Sequence, residues 1–128
     1  MTTNFNGTDV VHLDINDFDK NNLLVCENQP VKGKWFCMVQ GDFCGWCTKA
    51  KPEFLKAKYE SNNAVMFCTV QIDGTKDAQT LGKQLKTITN LPLNGGVPCF
   101  VLFIDGKAVK KYDGERTAVD IIEFLNNN

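Results

Sequence analysis

Residues 41–48 read Gly41-Asp42-Phe43-Cys44-Gly45-Trp46-Cys47-Thr48, two cysteines separated by a glycine and a tryptophan. Just upstream, Trp35-Phe36-Cys37-Met38-Val39 is a continuous apolar run of strand length, the pattern of a strand buried on both faces. Downstream, Ala50, Phe54 and Ala57 recur at i, i+4 and i+7. That spacing predicts a helix from about Gly45 to Glu60, with lysines on its opposite face. Pro52 lies inside this helix, removes a backbone donor and predicts a kink. The cysteine pair therefore sits where a central strand hands over to a helix.

The pattern repeats outward. Val10-Val11-His12-Leu13 reads as a first strand, and 16–24 as a short helix with Phe18 and Leu23 as its apolar contacts. Residues 29–34 form a turn-rich connector. Residues 65–72 read as a strand closed by Asp73-Gly74. A helix over about 75–88 follows, carried by Ala78, Leu81, Leu85 and Ile88. Gly82 weakens it by about 1 kcal/mol relative to alanine. After a loop over 91–98 come a strand over 99–104, an Asp105-Gly106 hairpin turn and a pairing strand over 108–112. A closing helix starts near Thr117, where Thr117 and Asp120 have capping-box spacing, and Ala118, Ile121, Ile122 and Leu125 form its apolar stripe. Strands alternating with amphipathic helices predict an α/β or mixed domain. At 128 residues the chain has room for one such domain, 1–128, with frayed ends at about 1–8 and 126–128.

Composition excludes several function classes. The net charge is −1, so no global field draws the chain to nucleic acid or to an anionic membrane. No apolar run approaches the ~20 residues needed to cross a bilayer. The opening MTTNFNGTDVV lacks the basic and apolar regions of a secretory signal, and an intracellular, cytoplasmic monomer is expected. Six cysteines in that setting do not read as a disulfide framework. Cys26, Cys37, Cys68 and Cys99 are scattered singly, and only Cys44 and Cys47 form a local pair.

Three uses of that pair can be weighed. A structural zinc ion wants four ligands; the pair supplies two, and the one histidine, His12, lies in the first strand. No metal and no other cofactor is expected. A disulfide inside the first helical turn closes too small a loop to restrain the unfolded chain much. The third use is thiol chemistry. Unpaired N–H groups at a helix start favour an anion, so a thiolate at Cys44 is stabilised there. Cys47, one turn further on and more enclosed, is placed to release a mixed disulfide formed at Cys44.

The order of elements, with CGWC after a central strand and Val97-Pro98 before a later one, resembles the thioredoxin family. The segment CGWCTKAKPEF is also similar to the CGHC-containing domains of protein disulfide isomerases, with Pro52-Glu53-Phe54 at the same interval. The resemblance runs from about His12 to Leu125. It implies an α/β thioredoxin fold, a central mixed sheet flanked by helices on both faces, and a cis peptide at Val97-Pro98. It also implies a wall beside the thiols formed by Pro98, with the Val97 backbone pairing to an extended substrate segment.

Three departures from the family stand out. Many members carry a buried Asp or Glu six residues before the first cysteine, where it helps deprotonate the second; here Met38 stands there. Slower resolution by Cys47 is expected, with Gln40, Asp42 or water as relay. Phe43 replaces the usual Trp, and Trp46 replaces the usual Pro or His, offering either a flat contact for substrate or a packing surface for a nearby loop. Cys99, directly after Pro98, is a candidate accessory thiol, with an inert side chain pointing into the sheet as the alternative.

The resulting expectation is a thiol–disulfide oxidoreductase with Cys44 as nucleophile and Cys47 as resolving thiol. Phe43, Trp46, Val97 and Pro98 are its candidate substrate contacts. Its partners would be disulfide-containing client proteins and an external reductase or oxidase. The rival is a redox-inactive adaptor that uses the same groove for protein contacts.

Overall fold

The computed structural model describes residues 5–128. Seven strands and three α-helices follow in chain order: β1 (Val11–His12), β2 (Val25–Cys26), β3 (Gln29–Pro30), β4 (Lys34–Gln40), α1 (Gly45–Glu60), β5 (Met66–Gln71), α2 (Lys76–Thr89), β6 (Cys99–Ile104), β7 (Lys107–Tyr112) and α3 (Ala118–Asn126). Five strands form one sheet in the order β1-β5-β4-β6-β7, and β2 and β3 form a separate ladder. β1 and β4 run parallel to β5, while β6 lies antiparallel to both β4 and β7. The sheet is mixed, as the family resemblance implies.

β4 lies at its centre, and its alternate residues feed two cores. Phe36 and Met38 pack with Ala50, Phe54 and Ala57 of α1 and with Ala118, Ile121 and Leu125 of α3. Cys37 and Val39 pack with Leu81, Leu85 and Ile88 of α2. The period-2 alternation of a strand thus sends neighbouring residues to opposite helical layers. Phe36 stacks on Phe100 at 5.7 Å and meets Phe54 and Phe67, each at 5.9 Å. Among the described residues, no helix is long and apolar enough to cross a membrane.

Three parts depart from the sequence expectation. The stretch 16–24 is not a helix: only a 3₁₀ turn forms, at Ile15–Asp17. The Asp19 carboxylate accepts from the N–H groups of Asn21 and Leu23 at 2.8 and 3.0 Å, and this competes with helical bonding. The connector at 29–34 contributes a short strand, because Glu27 and Asn28 take positive φ and turn the chain back on β2. Finally, Phe5 lies within the stretch expected to fray, yet it is buried and its ring sits 5.5 Å from that of Phe54. Residues 1–4 of that stretch lie outside the described residues. At the other end, the exposed Asn128 side chain donates to the Phe124 carbonyl at 2.8 Å.

The Asp105-Gly106 turn forms as expected. Gly106 has φ +87°, and a Cβ there would meet the Leu24 carbonyl at 2.8 Å, so both conformation and space require glycine.

Candidate active site

β4 ends at Gln40, and a short turn carries the chain into α1. The Asp42 N–H donates to the Asp73 carboxylate at 3.0 Å, which ties this turn to the end of β5. The Cys44 N–H donates to the Gly41 carbonyl at 3.2 Å. Cys44 is the N-cap of α1, in extended conformation, and its sulfur accepts the Cys47 N–H at 3.1 Å. A sulfur thus occupies the place that a Ser or Asp oxygen usually takes at a helix start. The backbone donor and the positive end of the helix both favour negative charge on that atom.

The cap fixes the asymmetry of the pair. Cys44 retains 9% exposure, whereas Cys47 is fully buried. Both are free thiols. Burial pushes the Cys47 thiol up to about 12, with the neighbouring Cys44 sulfur adding to the rise and the Gly41 backbone and Lys51 opposing it. The less deeply buried sulfur is the one at the helix start; the hidden one keeps its proton.

Val97 and Pro98 lie beside the pair. Their peptide bond is cis. The Cys44 thiol donates to the Val97 carbonyl at 3.6 Å, so backbone from the loop before β6 faces the outer sulfur. Pro98 is buried and Val97 half-buried. Phe43 and Trp46 are 69% and 64% exposed, large apolar rings on the surface beside the thiols. Trp46 lines an open groove of about 580 Å³ with Lys49 and residues 113–117, and the Lys49 ammonium lies 4.9 Å from its ring centre.

Cys99 is placed differently. It packs with Cys37 and Val39 on the α2 side, whereas Cys44 and Cys47 belong to the core beneath α1 and α3. It borders a cavity of about 500 Å³ formed with Gly82, Leu85, Leu93 and Val97. Burial raises its thiol above the ordinary value, with Lys111 opposing. The structure does not bring this third thiol onto the face that holds the pair. Among the described residues, no group of three or more His, Cys, Asp or Glu side chains is arranged to hold a metal ion.

Two features were missed by reading the sequence. Lys51, placed with the exposed lysines of α1, is fully buried. Its spacing offered a signal, because Cys47, Lys51 and Phe54 also follow i, i+4, i+7. The Glu53 carboxylate accepts the Ala118 N–H at 2.8 Å and so caps α3 from α1. No local spacing announces that contact, which spans 65 residues.

A thioredoxin family model matches residues 32–127. A thioredoxin-like protein, 453L, of Invertebrate iridescent virus 6 is 37% identical over 114 residues, covering 79% of this chain and 80% of that protein. Among solved structures, thioredoxin f2 of Chlamydomonas reinhardtii superposes with a TM-score of 0.64 at 23% identity, covering 92% of this chain and 94% of that one. The J-Trx1 fragment of ERdj5 superposes with a TM-score of 0.68 at 18% identity, covering 93% of this chain and 51% of that one. At such identities these two likenesses establish the fold.

Proposed function

Because the chain belongs to the thioredoxin family, we propose that it is a thiol–disulfide oxidoreductase acting through Cys44 and Cys47. The observation that carries this reading is the Cys44 sulfur at the head of α1, accepting the Cys47 N–H at 3.1 Å and facing the Val97 carbonyl at 3.6 Å. In the reducing direction, the Cys44 thiolate attacks one sulfur of a client disulfide and the other client sulfur leaves as a thiolate. Cys47 then loses its proton and attacks Cys44. The Cys44–Cys47 bond forms, the bond from Cys44 to the client breaks, and the second client sulfur leaves and takes a proton. An external dithiol reductase resets the pair, and an oxidant would drive the same steps backwards. An intracellular setting favours the reducing direction. The clients are proteins with accessible disulfides that lie along Val97 and against Phe43 and Trp46.

The expected outcome is that Cys44→Ser abolishes reduction of insulin disulfides, while Cys47→Ser accumulates mixed disulfides visible on non-reducing gels. Activity in Cys44→Ser equal to the wild type would sink the assignment. The exposed Phe43 and Trp46 rings also suit an adaptor, and a pair that does not cycle against glutathione would favour that reading.

A further inference from the structure

Lys51 is the one lysine among the described residues whose side chain is fully buried. Removing an ammonium from water costs several kcal/mol unless it is paired and hydrogen bonded. Its compensation here is thin. The Asp42 Oδ1 atom lies 3.6 Å away, beyond hydrogen-bond reach, and neither atom has a hydrogen bond among the described residues. The Phe5 ring lies 5.7 Å from the ammonium, and the second Asp42 oxygen is occupied by the Gln71 amide at 3.1 Å. Buried in a medium of low dielectric, a weakly compensated charge acts over longer range than it does in water.

That charge lies on the hidden side of the thiol pair. Lys51 follows Cys47 by four residues on the inner face of α1, where both are fully buried. From β4, Met38 and Gln40 face the buried interior with no charge. The carboxylate that faces Lys51 is Asp42, from the turn after β4, whose backbone is bonded to Asp73; the titratable groups on its own element are Cys47 within α1 and Cys44 at its N-cap. Lys51 acts on Cys47 in the sense that favours its ionised form, against the larger opposing effects of burial and of the Cys44 sulfur.

We propose that Lys51 is a positioning residue for the resolving step: its buried ammonium, one helical turn beyond Cys47, stabilises the Cys47 thiolate as the thiol proton departs. The inference rests on the dithiol reading above. In this step the Cys47 proton passes to solvent and the Cys47 electron pair forms the bond to Cys44. The electron pair of the Cys44–client bond leaves on the client sulfur, which takes up a proton. Lys51 neither gains nor loses a proton. A cation behind the resolving thiol thus does, by attraction for the thiolate, part of what Met38 cannot do as a proton acceptor.

The test uses the full chain and a peptide disulfide with a fluorescent leaving group, followed in single turnovers across pH. Attack by Cys44 is read in a Cys47→Ser background, and release of the second thiol in the presence of Cys47. For Lys51→Met the ratio of resolution to attack falls about tenfold near pH 7, and the pH midpoint of resolution rises by about one unit. Lys51→Arg, which keeps the charge, restores most of the difference. The pair Lys51→Met with Asp42→Asn leaves no lone buried charge and so guards against a folding defect, and its midpoint rises as well. A midpoint unmoved in both methionine variants overturns the role of Lys51. Failure of the Cys47→Ser protein to form any mixed disulfide overturns the dithiol reading, and the role of Lys51 with it.

Discussion

Cys44 and Cys47 are three residues apart and chemically identical, yet the helix start gives them different surroundings. Cys44 caps the helix and accepts a backbone N–H, whereas Cys47 is buried and its thiol is pushed up to about 12. A disulfide-exchange pair needs this division, because the outer sulfur must be free to attack and the inner one must wait. In the proposed reaction, Met38 bears on how long it waits. It is fully buried in the core that holds Cys47 and carries no group that can move a proton. Met38→Asp is expected to quicken release of Cys44-linked mixed disulfides and to move the pH dependence of that step. It should also cost about 3 kcal/mol of stability, since a carboxylate would replace a packed thioether. Stopped-flow release and urea denaturation check the two effects; an unchanged release rate and pH profile would refute the account of Met38.

At the level of elements, α1 does more than present the thiols. Its Glu53 carboxylate accepts the N–H of Ala118, the first residue of α3, in a partly buried bond of 2.8 Å. Thr117 caps the same helix locally through the N–H of Asp120 at 3.3 Å. Glu53→Ala leaves the Ala118 donor without its charged partner and is expected to lower stability by about 2 kcal/mol. A urea midpoint equal to that of the wild type would show that Thr117 suffices alone. The helices were legible in the sequence because each carries an apolar stripe at helical spacing, and the central strands because each is a largely apolar run of strand length. The stretch 16–24 was misread for a related reason. Phe18 and Leu23 offer apolar contacts for a short helix, but Asp19 offers the backbone an alternative set of bonds. Leu24 is then tied by its N–H to the Gly106 carbonyl at 2.8 Å. A window of nine residues does not contain Gly106.

Across the whole molecule, the two cores on either side of β4 keep Cys47, Cys68 and Cys99 out of water. Each of these thiols is held above its ordinary value, chiefly by burial. The sign of the consequence follows from proton counting. Above the ordinary thiol value of about 8.5, the unfolded chain loses protons that the folded chain retains. The contribution of Cys47 to stability is therefore present in full below that pH and is lost as the pH rises toward about 12. The reduced protein is expected to lose urea resistance over this alkaline window, and less steeply in Cys47→Ala. Equal slopes for the two proteins would contradict the burial of that thiol. The sequence by itself determined the succession of strands and helices and the placing of a cysteine pair at a strand-to-helix junction, because hydrophobic period and cysteine spacing are local properties. Tertiary structure alone decided that Lys51 is buried, that Cys99 faces α2, that Phe5 joins the core and that Glu53 caps a distant helix. Each of those depends on which surfaces meet when the chain closes on itself, and beyond the i, i+4, i+7 spacing that aligns Lys51 with Cys47 and Phe54, neither residue type nor spacing carries that information.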